Sequence, residues 1–222
     1  MELYLVRHGI CRHNMTDSAS VLDDPFCSTA LPHDREVLIP QGVLQAELTG
    51  FFLRDVPFDA VYSSGLIRAV QTAACILKFQ KEEKCLHILP DLAEEGYFTE
   101  KLPDLENHGF TTVWRNAELP TNPSATGLAR VTDDELPPDI RRRADNMARF
   151  LLERHKNDAN VLAVSHGAFL YQYLIPALLG DHMSAMRIDA SNCGITVLHF
   201  RENGEVTVET ANDIGHLGTA AY

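Results

Sequence analysis

Two short stretches of the sequence share one design, and they decide the fold. Residues 3–9 (LYLVRHG) and 161–167 (VLAVSHG) each run through apolar residues to a histidine that is followed at once by glycine. An apolar run of this length that ends at polar residues and a glycine is typical of a buried β-strand. We therefore expect His8 and His166 at the carboxyl ends of two strands. Gly9 would let the chain leave strand geometry, so that Arg7 and His8 can serve one site.

Apolar runs alternate with helical patterns along the rest of the chain. Short strands are predicted at 59–63, 86–89, 194–200 and 205–210, and an Asn-Gly pair at 203–204 predicts a hairpin between the last two. Helices are predicted from Pro40, after a capping Ser63 or Ser64, over 139–155 and over 167–179. This alternation predicts an α/β fold with a mainly parallel sheet and right-handed crossovers. The inner face of the first helix is expected to carry its apolar residues Val43, Leu44, Leu48, Phe51 and Phe52.

Two stretches show no clear periodicity. Residues 10–38 are interpreted as an irregular loop, and loops of that length in compact domains are usually functional. Residues 98–138 contain several prolines and the only tryptophan, Trp114, and are interpreted as an excursion that lies over the site. We expect residues 1–222 to form a single domain.

Charge and cysteine content narrow the classes of function. Lys and Arg number 19 against 31 Asp and Glu, and the net charge of −12 opposes non-specific attachment to nucleic acid or to an anionic membrane. An anionic ligand must therefore be bound by a local basic pocket. The five cysteines are odd in number and lack CxxC spacing, which indicates neither a disulfide framework nor a zinc site. No stretch resembles a signal peptide or a membrane span, so a soluble, cytoplasmic protein is expected.

Polar groups should collect where the parallel strands end. In open α/β sheets, ligands bind beyond the carboxyl ends of the strands, and His8, Arg68 and His166 would all lie there. Guanidinium groups and free main-chain N–H groups suit a tetrahedral dianion, so phosphate is the ligand that this set predicts. A neutral, oriented histidine can also act as a covalent nucleophile. Repulsion from Arg7 and Arg68 is expected to favour the neutral form of His8.

Several motifs in order carry a resemblance to a known family. They are 5–9 (LVRHG), Asn14, 42–46 (GVLQA), 63–73 (SSGLIRAVQTA), 92–94 (LAE) and 165–167 (SHG). The series resembles the histidine phosphatase superfamily, on its phosphoglycerate mutase-like branch. The resemblance implies a three-layer α/β/α sandwich with a mainly parallel central sheet. It also implies phosphoryl transfer through a phosphohistidine, without a metal or another cofactor.

The resemblance also implies roles for individual residues. His8 would be the nucleophile, and Glu94 in the Leu-x-Glu pattern would be the proton donor, although Glu95 is adjacent and could be confused with it. Arg12 has two interpretations, a further phosphate or substrate contact and a solvated loop residue. The residues expected to hold the phosphoryl oxygens are Arg7, Asn14, Arg68, His166 and Gly167.

Three functions remain open, of which hydrolysis of a small phosphomonoester is favoured. A phosphoglycerate mutase-type transfer is disfavoured for two reasons. Ala168-Phe169 follows the second His-Gly pair, and the sequence shows no dense basic cluster for a second acidic group. The arginines at 141–143 are interpreted as the start of a solvated helix and not as such a cluster. A phosphate-binding interaction module without catalysis is the third. The interpretation as a metalloenzyme has the weakest support, because the sequence lacks the HxxxH and HxH spacings that are typical of metal ligands. The sequence leaves substrate identity and oligomeric state open, a homodimer included.

Overall fold

The computed structural model describes residues 1–15, 36–95, 137–155, 160–180 and 188–221. The strands in these residues are β1 (Glu2–Arg7), β2 (Ala60–Ser63), β3 (Leu86–Ile88), β4 (Asn160–Ser165), β5 (Ile195–Phe200) and β6 (Val206–Asp213). They form one sheet in the order β3-β2-β4-β1-β5-β6. The first four in this order run parallel, whereas β5 is antiparallel to both of its neighbours. The predicted mainly parallel sheet is confirmed.

Helical segments connect these strands. The helices are α1 (Pro40–Phe52), α2 (Ile67–Leu77), α3 (Pro137–Arg154) and the short α4 (Ile175–Leu178). A π-helical stretch, Phe169–Leu174, leads directly into α4, so the helix predicted after the second His-Gly pair exists but is wider and underwound at its centre. Short 3-10 helices occupy Arg12–Met15, Pro90–Leu92 and Gly215–Ala221, the last with a kink at Gly218.

Both faces of the sheet are covered. Val161 and Ala163 of β4 pack in a core that includes residues of α3 and of the π-helical stretch. Leu162 and Val164, which point the opposite way, pack in a second core that includes residues of α2. Strands buried on both faces read as continuous apolar runs, which is why β1 and β4 could be recognised in the sequence. The expected three-layer α/β/α sandwich is confirmed.

The prediction for the inner face of α1 is wrong for three of its five residues, since Val43 and Leu48 are partly buried and pack against a small core cluster. Leu44, Phe51 and Phe52 are each about half exposed, while the buried face consists of small and polar residues. A Cβ on Gly50 would lie 2.8 Å from the Cα of Ile76 in α2, so the two helices approach too closely for large side chains. The buried amide of Gln45 is needed to satisfy main-chain groups, as described below. Close packing and hydrogen bonding therefore override the apolar pattern on this helix.

The predicted serine cap of α2 is wrong. Neither Ser63 nor Ser64 caps this helix, which begins one turn later with Leu66 at its N-cap and no side-chain cap.

The two irregular stretches can be compared with the structure only at their ends. Most of the predicted loop and of the predicted excursion, residues 16–35 and 96–136, lies outside the described residues. The prolines that end the predicted excursion, at 137 and 138, form the first turn of α3. Within the described ranges, no helix is long and apolar enough to cross a membrane.

Candidate functional site

Four neighbouring strands deliver the candidate residues to one edge of the sheet. His8 directly follows β1, and His166 directly follows β4, its parallel neighbour. Ser64 follows β2, and Glu94 follows β3 after one 3-10 turn. Because the order is β3-β2-β4-β1, these carboxyl ends lie side by side. The structure thus brings together the groups that the sequence placed at separate strand ends.

The loop after β1 is held from both sides. The Gly9 N–H donates to Thr72 Oγ1 of α2 at 2.9 Å, and the Ile10 N–H donates to Gln45 Oε1 of α1 at 2.9 Å. A Cβ on Gly9 would lie 2.5 Å from the carbonyl oxygen of Gly42, so the loop and the first turn of α1 can meet only through glycine. These contacts fix the direction in which the His8 ring points.

The His8 ring is buried and its two nitrogens have different partners. Nδ1 lies 2.8 Å from the carbonyl oxygen of Gly9, an acceptor, so the hydrogen-bond network places the proton on Nδ1. Nε2 accepts a hydrogen bond from Arg68 Nε at 3.2 Å and therefore carries a lone pair. Burial is the main cause that lowers the pKa of His8 well below its ordinary value, and Arg68 and Arg7 lower it further. The repulsion foreseen from the sequence thus acts, but desolvation is the larger effect.

The His166 ring faces His8 with the opposite arrangement. The ring centroids are 5.1 Å apart, and His166 Nε2 lies 2.6 Å from Ser64 Oγ. The Leu66 N–H donates to the same Oγ, and among the described residues Nε2 is the acceptor within reach of the Ser64 hydroxyl proton, so we assign the proton of this hydrogen bond to Oγ. Nδ1 then carries the ring proton, and among the described residues this buried atom has no hydrogen-bond partner. It is a donor directed into the site.

Arg7 contributes a second unsatisfied donor. Its Nη1 donates to the carbonyl oxygen of Ala190, but its buried Nε has no partner within the described part of the chain. A Cβ on Gly167 would lie 3.2 Å from this Nε, so the glycine leaves room for the guanidinium beside the second His-Gly pair. Burial lowers the pKa of Arg7, while the nearby Glu94 raises it. A partly buried cation whose buried Nε donor is unused suits the binding of an anion.

Asn14 is oriented by its oxygen. Its Oδ1 accepts hydrogen bonds from the Cys11 N–H at 3.1 Å and from Asn192 Nδ2 at 3.2 Å. The Asn192 amide also donates to the His8 carbonyl oxygen at 2.9 Å, which ties this network to the loop after β1. The side-chain Nδ2 of Asn14 is thereby left as the group that can donate to a ligand. Arg12 lies in the adjacent 3-10 turn and is partly buried, and its role stays a prediction.

Glu94 and Glu95 have different surroundings. Glu94 Oε1 accepts the Phe169 N–H at 2.8 Å, and Oε2 accepts the Ala168 N–H at 3.3 Å. These donors follow His166 and Gly167, so the Glu94 carboxyl group lies beside the second histidine. Glu95 instead accepts a hydrogen bond from the Tyr173 hydroxyl at 3.1 Å. The geometry favours Glu94 over Glu95 as a group that acts at the site.

Two groups of described residues could in geometry hold a metal ion. His8, Cys11 and His13 place ligand atoms within 4.8 Å of one another, and Glu2, His199 and Glu209 do so on the surface. In the first group, His13 is paired with Glu36, burial raises the pKa of the Cys11 thiol to about 12, and both arginines lie close by. That environment suits an anion better than a cation. The second group is remote from the site, since Glu2 lies at the opposite end of β1.

Sequence reasoning missed several residues that build the site. Ser64, Thr72, Asn192 and Gln45 orient the candidate groups, and nothing in their local pattern distinguishes them from ordinary polar residues. Arg143 is different. It is completely buried, although it was interpreted as part of a solvated helix start. Its position three residues after Ile140 and four before Met147, two apolar residues at helical spacing, was a usable signal.

Comparisons with known proteins agree with this geometry. A sequence profile of the histidine phosphatase superfamily (branch 1) matches residues 3–213. The chain is 30% identical over 194 residues to the mitochondrial serine/threonine-protein phosphatase Pgam5 of Caenorhabditis elegans. That match covers 84% of this chain and 60% of the nematode protein. It is 24% identical to the broad-specificity phosphatase YOR283W of Saccharomyces cerevisiae, with coverage of 100% and 90%.

A solved structure supports the fold independently. Phosphoserine phosphatase from Entamoeba histolytica, in complex with 3-phosphoglyceric acid, superimposes with a TM-score of 0.61 at 23% identity. The superposition covers 97% of this chain and 98% of that one. At that identity the likeness establishes the fold alone. The profile match over nearly the whole sequence, on a fold with the same architecture, identifies the family: the chain belongs to branch 1 of the histidine phosphatase superfamily.

Proposed function

We propose that the protein is a metal-independent phosphatase that hydrolyses a phosphomonoester through a phosphohistidine on His8. One observation carries the proposal. A neutral His8 points an Nε2 lone pair into a site where buried donors of Arg7 and His166 have no partner among the described residues. A phosphoryl group supplies acceptors for these donors and an electrophile for the lone pair. The names of the relatives reported above, all phosphatases, support the same activity.

In the first step, Arg68 Nε exchanges its hydrogen bond with His8 Nε2 for one with a phosphoryl oxygen, and the freed Nε2 lone pair attacks phosphorus in line with the ester oxygen. The N–P bond forms as the P–O bond breaks, and the electron pair of that bond goes to the leaving oxygen. Glu94 donates a proton to this oxygen, so that the alcohol leaves neutral. The Gly9 carbonyl oxygen, which accepts the hydrogen bond from His8 Nδ1–H, stabilises the positive charge that develops on the ring. Arg7, Arg68, His166 and Asn14 hold the phosphoryl oxygens.

In the second step, water attacks the phosphohistidine. Glu94, now ionised, accepts a proton from the water while the N–P bond breaks and its electron pair returns to Nε2. Inorganic phosphate leaves and both residues recover their starting form. Neutral His8 is necessary at the outset, because a protonated Nε2 has no lone pair. The burial and the arginines that lower its pKa serve that need.

We propose a small phosphorylated metabolite as the substrate and a reducing, cytoplasmic setting. Cys11, Cys75 and Cys193 are buried thiols that form no disulfide with another described cysteine, which suits such a compartment. The chain spans 60% of the length of the nematode relative, so that protein's own activity and partners are not transferred as a whole.

A panel of phosphorylated metabolites tests the function. It should include 3-phosphoglycerate with and without 2,3-bisphosphoglycerate, and a parallel series in excess chelator. We expect release of inorganic phosphate that persists with chelator, because arginines and histidines neutralise the phosphoryl charge. Phosphate that is relocated rather than released would indicate a mutase. Binding without turnover would indicate an interaction module, and activity that needs a divalent ion would contradict the proposed chemistry.

A further inference from the structure

Arg143 is a fully buried cation that is not among the residues expected to hold the phosphoryl oxygens, and its charge is one of those that lower the pKa of His166. Its neighbours Arg141 and Arg142 are exposed, and Arg142 pairs with Asp139 on the surface of α3. Arg143 has no exposed surface at all and is among the largest fully buried side chains of the described residues. Burial of a guanidinium is costly unless its donors are satisfied and its charge is compensated. The partners of Arg143 therefore indicate what the residue does.

The hydrogen bonds of Arg143 converge on the segment that carries Glu94. Nη1 donates to the carbonyl oxygen of Asp91 at 2.7 Å and to that of Ala93 at 2.8 Å. Ser165, the last residue of β4, donates through Oγ to the intervening carbonyl oxygen of Leu92 at 2.7 Å. Three successive carbonyl groups before Glu94 are thus held in place, two of them by one guanidinium.

Arg143 also contacts the residue that holds the Glu94 carboxyl group. Its guanidinium carbon lies 4.2 Å from the ring centroid of Phe169. The main-chain N–H of Phe169 donates to Glu94 Oε1 at 2.8 Å. The guanidinium therefore packs between the chain that delivers Glu94 and the π-helical stretch that receives its carboxyl group. Displacement of Arg143 would disturb both ends of the Glu94 geometry at once.

We propose that Arg143 is a positioning residue that sets the direction of the Glu94 carboxyl group for proton transfer. The proposal rests on the role of Glu94 in the proposed function. Arg143→Lys keeps the charge but loses the planar guanidinium, which lies over the Phe169 ring while its Nη1 donates to both carbonyl groups. Loss of this support leaves the arginines and histidines of the phosphoryl site in place. The defect should therefore appear in protonation of the leaving group rather than in phosphate binding.

Steady-state kinetics on Arg143→Lys and Arg143→Met test the proposal, with Arg142→Met as the matched surface control. Each variant is assayed with an alkyl phosphate, whose leaving group needs a proton, and with 4-nitrophenyl phosphate, whose leaving group needs little. We expect kcat for the alkyl ester to fall by about ten- to hundredfold, a fraction of full general-acid catalysis. The loss for the aryl ester should be several-fold smaller, with unchanged inhibition by inorganic phosphate. Arg142→Met should match the wild type.

Two comparisons keep the outcome decisive. Phe169→Leu removes the ring under Arg143 but keeps an apolar side chain. We expect it to slow the alkyl ester more than the aryl ester, but less than the Arg143 variants do. If both Arg143 variants fail to fold, this variant tests the proposal in their place. Equal losses for the two esters, weaker phosphate inhibition, or wild-type kinetics in folded variants would overturn the proposal. Glu94→Gln separates the role of Glu94 as proton donor from its positioning by Arg143. If Glu94→Gln slows both esters equally, the proposed role of Glu94 is wrong, whatever Arg143 does.

Discussion

The two His-Gly pairs look alike in sequence, yet the structure places them in complementary states. Both histidines end parallel strands that are hydrogen-bonded to each other, and both rings are buried and have a lowered pKa. His8 holds its proton on Nδ1, against the Gly9 carbonyl, and presents a lone pair. His166 has its Nε2 fixed by Ser64 and presents a proton. In each ring, one nitrogen is hydrogen-bonded to the protein and the other faces the site. The partner of the first nitrogen, rather than the His-Gly motif, therefore decides whether the second offers a lone pair or a proton.

The largest expected effect comes from removing one histidine or the other. His8→Ala should lower kcat by about 10⁴-fold or more, because no other group supplies the lone pair. His166→Ala should lower kcat by roughly 10²- to 10³-fold, the usual loss of one donor to a developing oxyanion. Binding of inorganic phosphate, measured by calorimetry, should survive His8→Ala because the arginines remain. Similar kinetic losses for both variants would mean that the two rings are not differentiated.

The second effect concerns the cation that contacts His8 Nε2. Arg68→Ala should weaken vanadate binding by about 1.5 to 3 kcal/mol, the value of one charge-assisted hydrogen bond. Arg12→Ala is the comparison, because Arg12 is the partly buried arginine of the 3-10 turn that follows β1 and its contact with phosphate stays a prediction. Equal increases in Kd for the two variants would place the phosphoryl oxygens away from Arg68.

The third prediction concerns the Ser64 hydroxyl, which orients the His166 ring. Ser64→Ala deletes the hydroxyl that donates to Nε2, so the ring can carry its proton on either nitrogen. We expect kcat to fall by about tenfold or less, in line with one neutral hydrogen bond. Ser63→Ala is a close control, because the Ser63 hydroxyl donates to a carbonyl oxygen and not to a ring. A wild-type rate in Ser64→Ala would show that the tautomer of His166 is set by something else.

The smallest effect is on stability and follows from the lowered pKa of both rings. The unfolded chain takes up protons on these histidines as the pH falls through about 6.5, whereas the folded rings stay neutral. The unfolded state then binds more protons, so the free energy of unfolding decreases below that pH. His166→Gln should reduce the loss between about pH 7 and pH 5.5 by about 1 kcal/mol in urea unfolding experiments. An unchanged pH dependence would indicate that the folded ring titrates normally.

Much of this arrangement could be predicted from the sequence because it depends on local patterns. β1 and β4 are apolar runs buried on both faces, and parallel strands bring their carboxyl ends to one edge whatever their order. That is why His8 and His166 were expected together. Glu94 needed the family resemblance, since no physical pattern separates it from Glu95.

The rest could not be predicted because it depends on contacts distant in sequence. The inner face of α1 is built from glycine, glutamine and threonine, as the close approach to α2 and the donors of the loop after β1 require. The buried state of Arg143 is settled by carbonyl groups some 50 residues away in the chain. Likewise, Ser64 looked like a helix cap until its partner proved to be His166.

Trapping of the covalent intermediate tests the central claim most directly. The wild-type protein is mixed with a phosphate-labelled aryl ester and quenched within milliseconds into alkali, where a phosphoramidate survives better than in acid. We expect label on His8 in the wild type, none in His8→Ala, and slower but still detectable labelling of His8 in His166→Ala. Label on His166, on a serine or on a carboxylate, or rapid turnover of His8→Ala, would contradict the assignment of His8 as the nucleophile.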